Sequence, residues 1–149
     1  MIESRPPSDG QSFLMTANQF FAGATALADI NLSAPLPGAL LSAQALENCL
    51  KALLWTTGST TANLRIRPFG HDLVALWTEA TRNGLLAASP PDWCILLNSL
   101  HAPPYKGRYP SGLNGFQTPN AKATVAHLAT ILELATNAVK RAPWRPPSA

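Results

Sequence analysis

Residues 45–54 of the 149-residue chain read Ala-Leu-Glu-Asn-Cys-Leu-Lys-Ala-Leu-Leu. This segment has the pattern of an α-helix and indicates a helical fold. Glu47 and Lys51 stand one helical turn apart on the flank, where opposite charges favour a helix. The apolar side chains recur at steps of three and four residues, which places them on one face of an α-helix: Leu46, Leu50, Leu53 and Leu54.

Fourteen prolines divide the remainder of the chain. A proline inside a helix costs about 3 kcal/mol, so helices are expected only between prolines. Five proline-free stretches are long enough: 8–34, 38–67, 69–89, 92–102 and 120–142. No segment alternates apolar and polar residues, so no strand is predicted. The sequence therefore predicts an all-α protein of about five helices.

The length corresponds to one domain, since domains usually hold about 100–200 residues. We predict a single helical domain over residues 9–141, with flexible, proline-rich ends at 1–8 and 142–149. Charged residues make up 13% of the chain, about half of the usual ~25%. A surface with so few charges favours neutral polar residues or burial against a partner, so self-association is a possibility.

The last predicted helix, within 120–142, has an apolar arc wider than one buried face requires. His127, Ile131 and Leu134 form a strip beside the main apolar row. Two interpretations remain open for this arc. The helix is either buried at the centre of the bundle or used in a dimer contact.

Several classes of function lack their sequence signatures. A net charge of +3 is too small to be a nucleic-acid footprint by itself. Phosphate-binding glycine loops, His-Glu-x-x-His, paired Cys-x-x-Cys and Gly-x-Ser-x-Gly are all missing from the sequence. The three histidines and two cysteines lie on different segments, so neither a metal nor a cofactor is expected.

The two cysteines also bear on the compartment. Cys49 and Cys94 lie in apolar runs, where a thiol usually behaves as a small buried hydrophobic group. They indicate a reducing environment rather than a disulfide framework. The sequence has no signal-peptide pattern and no apolar run of 18 residues, so we expect a cytoplasmic protein that does not enter a membrane.

The connection 102–118 is long for a compact domain, and such connections are often functional. It combines cationic and aromatic side chains that could hold phosphate and stack on bases: Tyr105, Lys106, Arg108 and Tyr109. The alternative is structural, with the arginine capping carbonyl groups at a helix end and the tyrosines packing the loop onto the core.

A second polar segment, 65–71, contains Arg65, Arg67 and His71 and leads into the third predicted helix. His71 is a candidate proton carrier, because an unperturbed imidazole titrates at about 6.5. Its position before the helix also fits a simple capping role.

Taken in order, four elements resemble the HEPN family, the "higher eukaryotes and prokaryotes nucleotide-binding" domains. They are the 45–54 segment, Gly70-His71-Asp72-Leu73, Leu97-Asn98 and Arg108-Tyr109-Pro110. The resemblance covers roughly residues 36–112. It implies an up-and-down helical bundle that often forms a homodimer.

The resemblance also implies a class of activity, since many HEPN proteins are metal-independent ribonucleases of toxin–antitoxin and other defence systems. In those nucleases an arginine is followed, after four to six residues, by a histidine near the start of a late helix. Here the first histidine after Arg108 is His127, far beyond that spacing. By the resemblance, Glu47 and Lys51 face the cleft, and His71 and Asp72 open the next helix.

Three hypotheses follow. The first is a HEPN-like dimer that binds RNA or a nucleotide without the usual nuclease motif. The second is a metal-independent endoribonuclease with candidate residues Arg108, His101 and His71. The third is a protein-interaction module, for which an antitoxin-like protein is one partner. The binding residues in the first hypothesis are Lys106, Arg108, Tyr109, Arg67, Lys51 and Glu47.

Overall fold

The computed structural model describes residues 4–30, 34–107 and 115–148, and these contain six α-helices and no strand. The all-α prediction is confirmed over this part of the chain. The helix count exceeds the expected five because the second predicted helical stretch divides into two helices, separated by a turn at Gly58. The first of the two begins at Leu36 and has Pro37 in its first turn, where a helix accepts proline. The helices are α1 (Asp9–Asp29), α2 (Leu36–Thr56), α3 (Thr61–Arg65), α4 (Leu73–Arg82), α5 (Asp92–His101) and α6 (Ala121–Arg141).

The central element is α2, which packs against both the α1–α6 pair and the α4–α5 pair. Every residue from Ala45 to Trp55 is buried. A helix that is surrounded by protein on all sides has no solvent face for polar residues, which explains its nearly continuous apolar sequence. The charged exceptions, Glu47 and Lys51, are therefore buried rather than exposed on a flank.

The last helix, α6, is not the central one. It buries one face against α1 and α2, while His127 and Leu134 are exposed. The interpretation that its wide apolar arc marks central burial is thus wrong, because α2 takes that place. The dimer-contact interpretation stays a prediction.

Side-chain caps fix the starts of α1, α3, α4 and α6, and two of these caps bear on the sequence predictions. At α1, Ser8 and Gln11 exchange hydrogen bonds in a capping box, with distances of 2.8 and 3.2 Å. At α4, the Asp72 carboxylate accepts from the Ala75 amide at 3.0 Å. The interpretation of His71 as a cap is therefore wrong, since Asp72 has that role and the imidazole contacts α2 instead.

The two ends of the described chain lie together. The Trp144 indole donates to the Pro6 carbonyl at 3.1 Å, and Arg145 donates to the Trp55 carbonyl at 2.6 Å. The Ser148 hydroxyl donates to the Asp9 carboxylate at 2.6 Å. The flexibility of the ends and the domain bounds stay predictions. Across the described residues, no helix combines the length and apolar character that crossing a bilayer requires.

Candidate functional site at Glu47, His71 and His101

Four polar side chains meet at the middle of α2. One carboxylate oxygen of Glu47, Oε1, lies 2.8 Å from His71 Nδ1 and 2.9 Å from His101 Nε2. The other oxygen, Oε2, lies 3.3 Å from Lys51 Nζ. We call Glu47, Lys51, His71 and His101 the Glu47 cluster.

Helix geometry and one side-chain bridge bring these residues together. Lys51 follows Glu47 by one turn of α2, and His101 is the last residue of α5. Asn98 of α5 accepts from the Leu73 amide at 2.7 Å and donates to Asp72 at 3.1 Å. This bridge ties the start of α4 to α5, so the neighbouring His71 is held beside His101.

The arrangement determines which nitrogens carry protons. Burial alone would raise the pKa of Glu47. The hydrogen bond from His101, the charge of Lys51 and the hydrogen bond from His71 outweigh that effect and lower the pKa from 4.5 to about 2. Glu47 is therefore ionised at neutral pH and can only accept hydrogen bonds. Both histidines must then present an N–H to Oε1, which leaves His71 Nε2 for another partner.

The two histidines differ in access. The His101 side chain is 1% exposed, whereas that of His71 is 42% exposed. His71 opens into a groove of about 660 Å³ formed by the segment before α4 and the segment after α5. We call it the His71 groove, and its walls are Arg65, Arg67, Pro68, Phe69, Gly70, His71, Asp72, Ala102, Pro103 and Tyr105.

The charges in the His71 groove are mostly positive. Arg65 and Arg67 are exposed, and neither guanidinium forms an ion pair with another residue that the structure describes. The one carboxylate among the described walls of the groove, Asp72, accepts from the Ala75 amide and from Asn98 through Oδ1 and forms no ion pair with either arginine. An anion entering the groove would therefore meet two arginines that are not paired with any carboxylate the structure describes.

The structure brings some sequence-predicted site residues together and separates another. Glu47, Lys51, His71 and His101 form one cluster, and Arg67 lies in the groove beside it. Lys106 lines a different cavity, of about 130 Å³, with Ser99, Leu100, Gly115, Phe116 and Gln117. Arg108 and Tyr109 lie outside the described residues.

Sequence reasoning missed the convergence of His71 and His101 on Glu47. No metal was expected because the histidines lie on different segments of the sequence. The fold brings His71 and His101 together, so that reason no longer applies to these two. One signal was available, because Glu47 and Lys51 are the only charged residues in the apolar run 45–54. A charged pair within such a run indicates that both charges have buried partners.

Two other features are less suited to chemistry. Cys49 and Cys94 are buried as predicted, and burial raises the pKa of each thiol to about 12. A larger cavity, of about 820 Å³, lies between α1, α6 and the two chain ends. Its described walls include Arg5 and Lys140 but no histidine, cysteine or carboxylate, so the smaller His71 groove is the better candidate.

In comparisons with known proteins, no family model, no curated protein and no solved structure matches this chain.

Proposed function

We propose that this chain is a HEPN-like helical domain that binds RNA or a nucleotide by its phosphates in the His71 groove. One observation carries the proposal. Arg65, Arg67 and the partly exposed His71 line the same groove, and neither arginine has an ion-pair partner among the described residues.

The chemistry of the groove suits a phosphate group. A guanidinium presents planar paired donors that match phosphate oxygens, and it stays charged at any physiological pH. The volume of about 660 Å³ lies within the range of about 300–1,000 Å³ for ligand pockets. A nucleotide or a short length of single-stranded RNA therefore fits in size and charge.

The contacts within the fold also support the HEPN resemblance. Three of its four sequence elements are in contact through Glu47 with His71 and through Asp72 with Asn98. The fourth element, Arg108-Tyr109-Pro110, lies outside the described residues. The order of these elements in the sequence and their contact in the fold together support the HEPN resemblance better than either observation alone.

The test is fluorescence anisotropy with a labelled single-stranded RNA, titrated at several salt concentrations. Each phosphate contact to single-stranded nucleic acid contributes about 0.7 to the slope of log affinity against log salt. We expect Arg67→Gln to lower that slope by about 0.7, and the double variant Arg65→Gln/Arg67→Gln to lower it by about 1.4.

Arg141→Gln is the matched control, because it removes the same charge from an exposed arginine at the far end of α6. It should leave the slope unchanged. Equal effects of Arg67→Gln and Arg141→Gln would mean that overall charge, not the His71 groove, governs binding. Lys106→Gln then tests whether the 102–118 connection adds a separate contact.

The proposal includes a homodimer, which the resemblance implies and which suits the low charge content of the chain. Light scattering coupled to size exclusion should give twice the 15.8 kDa mass of one chain. A mass of one chain at all concentrations would remove the dimer from the proposal and leave RNA binding to be judged separately.

A second candidate function is metal-independent cleavage of RNA, favoured by the contact of both histidines with one oxygen of Glu47. Glu47 orients His71 so that Nε2 can accept the proton of a ribose 2′-hydroxyl. The 2′-oxygen then attacks phosphorus, and the bond to the 5′-oxygen breaks as that oxygen takes a proton from water. His101 is buried, so it is a positioning residue and His71 is the candidate base.

Cleavage is tested by incubating RNA with the protein in EDTA and separating the products on a gel. Activity should be present in the parent protein and in His127→Ala, a control histidine outside the cluster, and absent in His71→Ala. Intact RNA with all three proteins would reject the ribonuclease and leave phosphate binding standing.

A further inference from the structure

Three potential metal ligands converge in the Glu47 cluster from distant parts of the chain. A carboxylate oxygen of Glu47 and one ring nitrogen each of His71 and His101 all lie within 4.8 Å of one another. They come from the middle of α2, the segment before α4 and the end of α5. Such convergence requires the whole fold, so the ligand atoms are held by elements that the core already positions.

The distances are close to those of a metal site. A tetrahedral zinc ion with bonds of about 2.0–2.1 Å separates its ligand atoms by about 3.3 Å. The Glu47 oxygen now lies 2.8 Å from His71 Nδ1 and 2.9 Å from His101 Nε2. Widening each of these two separations by about half an ångström would bring them to that value. The two ring nitrogens, which lie within 4.8 Å of each other, would have to come to the same separation.

The directions of the ring nitrogens also fit. Both nitrogens now direct an N–H bond at Glu47 Oε1, so their lone pairs would face the region around that oxygen once each proton has moved to the other ring nitrogen. Lys51 occupies Oε2 at 3.3 Å, which leaves Oε1 for an ion and holds the carboxylate in orientation. Partly exposed His71 connects this region to the His71 groove and provides a route of entry.

We propose that Glu47, His71 and His101 form a binding site for a divalent transition-metal ion, and that Zn²⁺ is the ion this set of ligands favours. Two imidazoles and one carboxylate are the protein ligands of one class of catalytic zinc site. Three protein ligands are characteristic of open zinc sites, in which water or a substrate takes the fourth position. On binding, each neutral imidazole would turn a lone pair to the ion by moving its proton to its other ring nitrogen, with no net release of protons.

The proposal is tested without RNA, so its outcome is independent of the proposed function. Calorimetry with ZnCl₂ on the metal-stripped full-length chain should show one ion per chain. With Co²⁺ as the probe, visible absorption bands of a four-coordinate ion should appear at the same stoichiometry.

His71→Ala is the decisive variant, since its side chain is partly exposed and its loss leaves the core intact. Loss of a hydrogen-bond partner of a ligand already weakens binding 10–100-fold, so loss of a ligand should weaken it by about 100-fold or more. His127→Ala is the matched control and should bind like the parent. Circular dichroism verifies that both variants are folded.

Two results would overturn the proposal. One is the lack of a one-to-one transition with either ion in the folded parent protein. The other is equal affinity of the parent and His71→Ala, which would place any bound ion elsewhere on the chain.

Discussion

Replacing Glu47 with glutamine preserves the size of the side chain and removes its charge. Lys51 is 7% exposed and has Glu47 as its ion-pair partner. Breaking a buried pair by removing one partner typically costs about 3–5 kcal/mol, because the other charge is left uncompensated. We expect a loss of about 3 kcal/mol, at the lower end, since the glutamine oxygen can still accept from a histidine.

The measurement is urea unfolding at neutral pH in EDTA, followed by far-ultraviolet circular dichroism. In thermal unfolding of a chain of this size, the same loss of about 3 kcal/mol would lower the Tm by about 6–12 °C. Glu133→Gln is the matched control, because Glu133 is exposed on α6 and has no ion pair among the described contacts. It should change the free energy of unfolding by less than about 0.5 kcal/mol.

The pH dependence identifies the source of the loss. The pKa of Glu47 falls from 4.5 to about 2 on folding. Its ionised form therefore stabilises the fold fully above about pH 4.5, and this contribution disappears as the pH falls towards 2. The difference in stability between the parent and Glu47→Gln should narrow over that interval.

Two results would refute the reasoning. A loss at neutral pH no larger than that of Glu133→Gln would mean that the Glu47–Lys51 pair adds nothing to stability. A loss that stays constant down to pH about 2.5 would mean that the charge of Glu47 is not its cause.

Two further predictions concern the core. Gly10→Ala should destabilise the fold by about 1–3 kcal/mol in urea unfolding, because the added Cβ would lie 2.3 Å from Trp55 Cε3. Gly38→Ala is the control, since the atom nearest to its added Cβ is 3.9 Å away. It should show no loss of stability. Cys49 and Cys94 should resist iodoacetamide in the native protein, because burial raises the pKa of each thiol to about 12. Mass spectrometry should show both alkylated in urea, and rapid native labelling of either would contradict its burial.

The helices themselves could be predicted because their signals are local. The leucine spacing of 45–54 and the positions of the prolines identify the helical stretches without any knowledge of the fold. The turn at Gly58 was missed, because one glycine within a helical pattern does not by itself end the helix. Gly58 has a φ of 102°, a backbone conformation that side chains with a Cβ rarely adopt.

The position of each helix in the bundle was harder to predict from the sequence. The sequence left the wide apolar arc of α6 open to central burial, and the structure places α2 there instead. Amphipathic pattern shows which face of a helix is buried, but the number of neighbours around it depends on the packing of all helices together.

The sequence by itself determined the all-α class and the residue types available for chemistry, because helix periodicity and proline exclusion act within a few residues. Only the tertiary structure decided that His71 and His101 share one oxygen of Glu47, 24 and 54 residues away along the chain. The buried charge of Glu47 requires donors, and the sequence does not show which of its polar groups the folded core brings within hydrogen-bond distance.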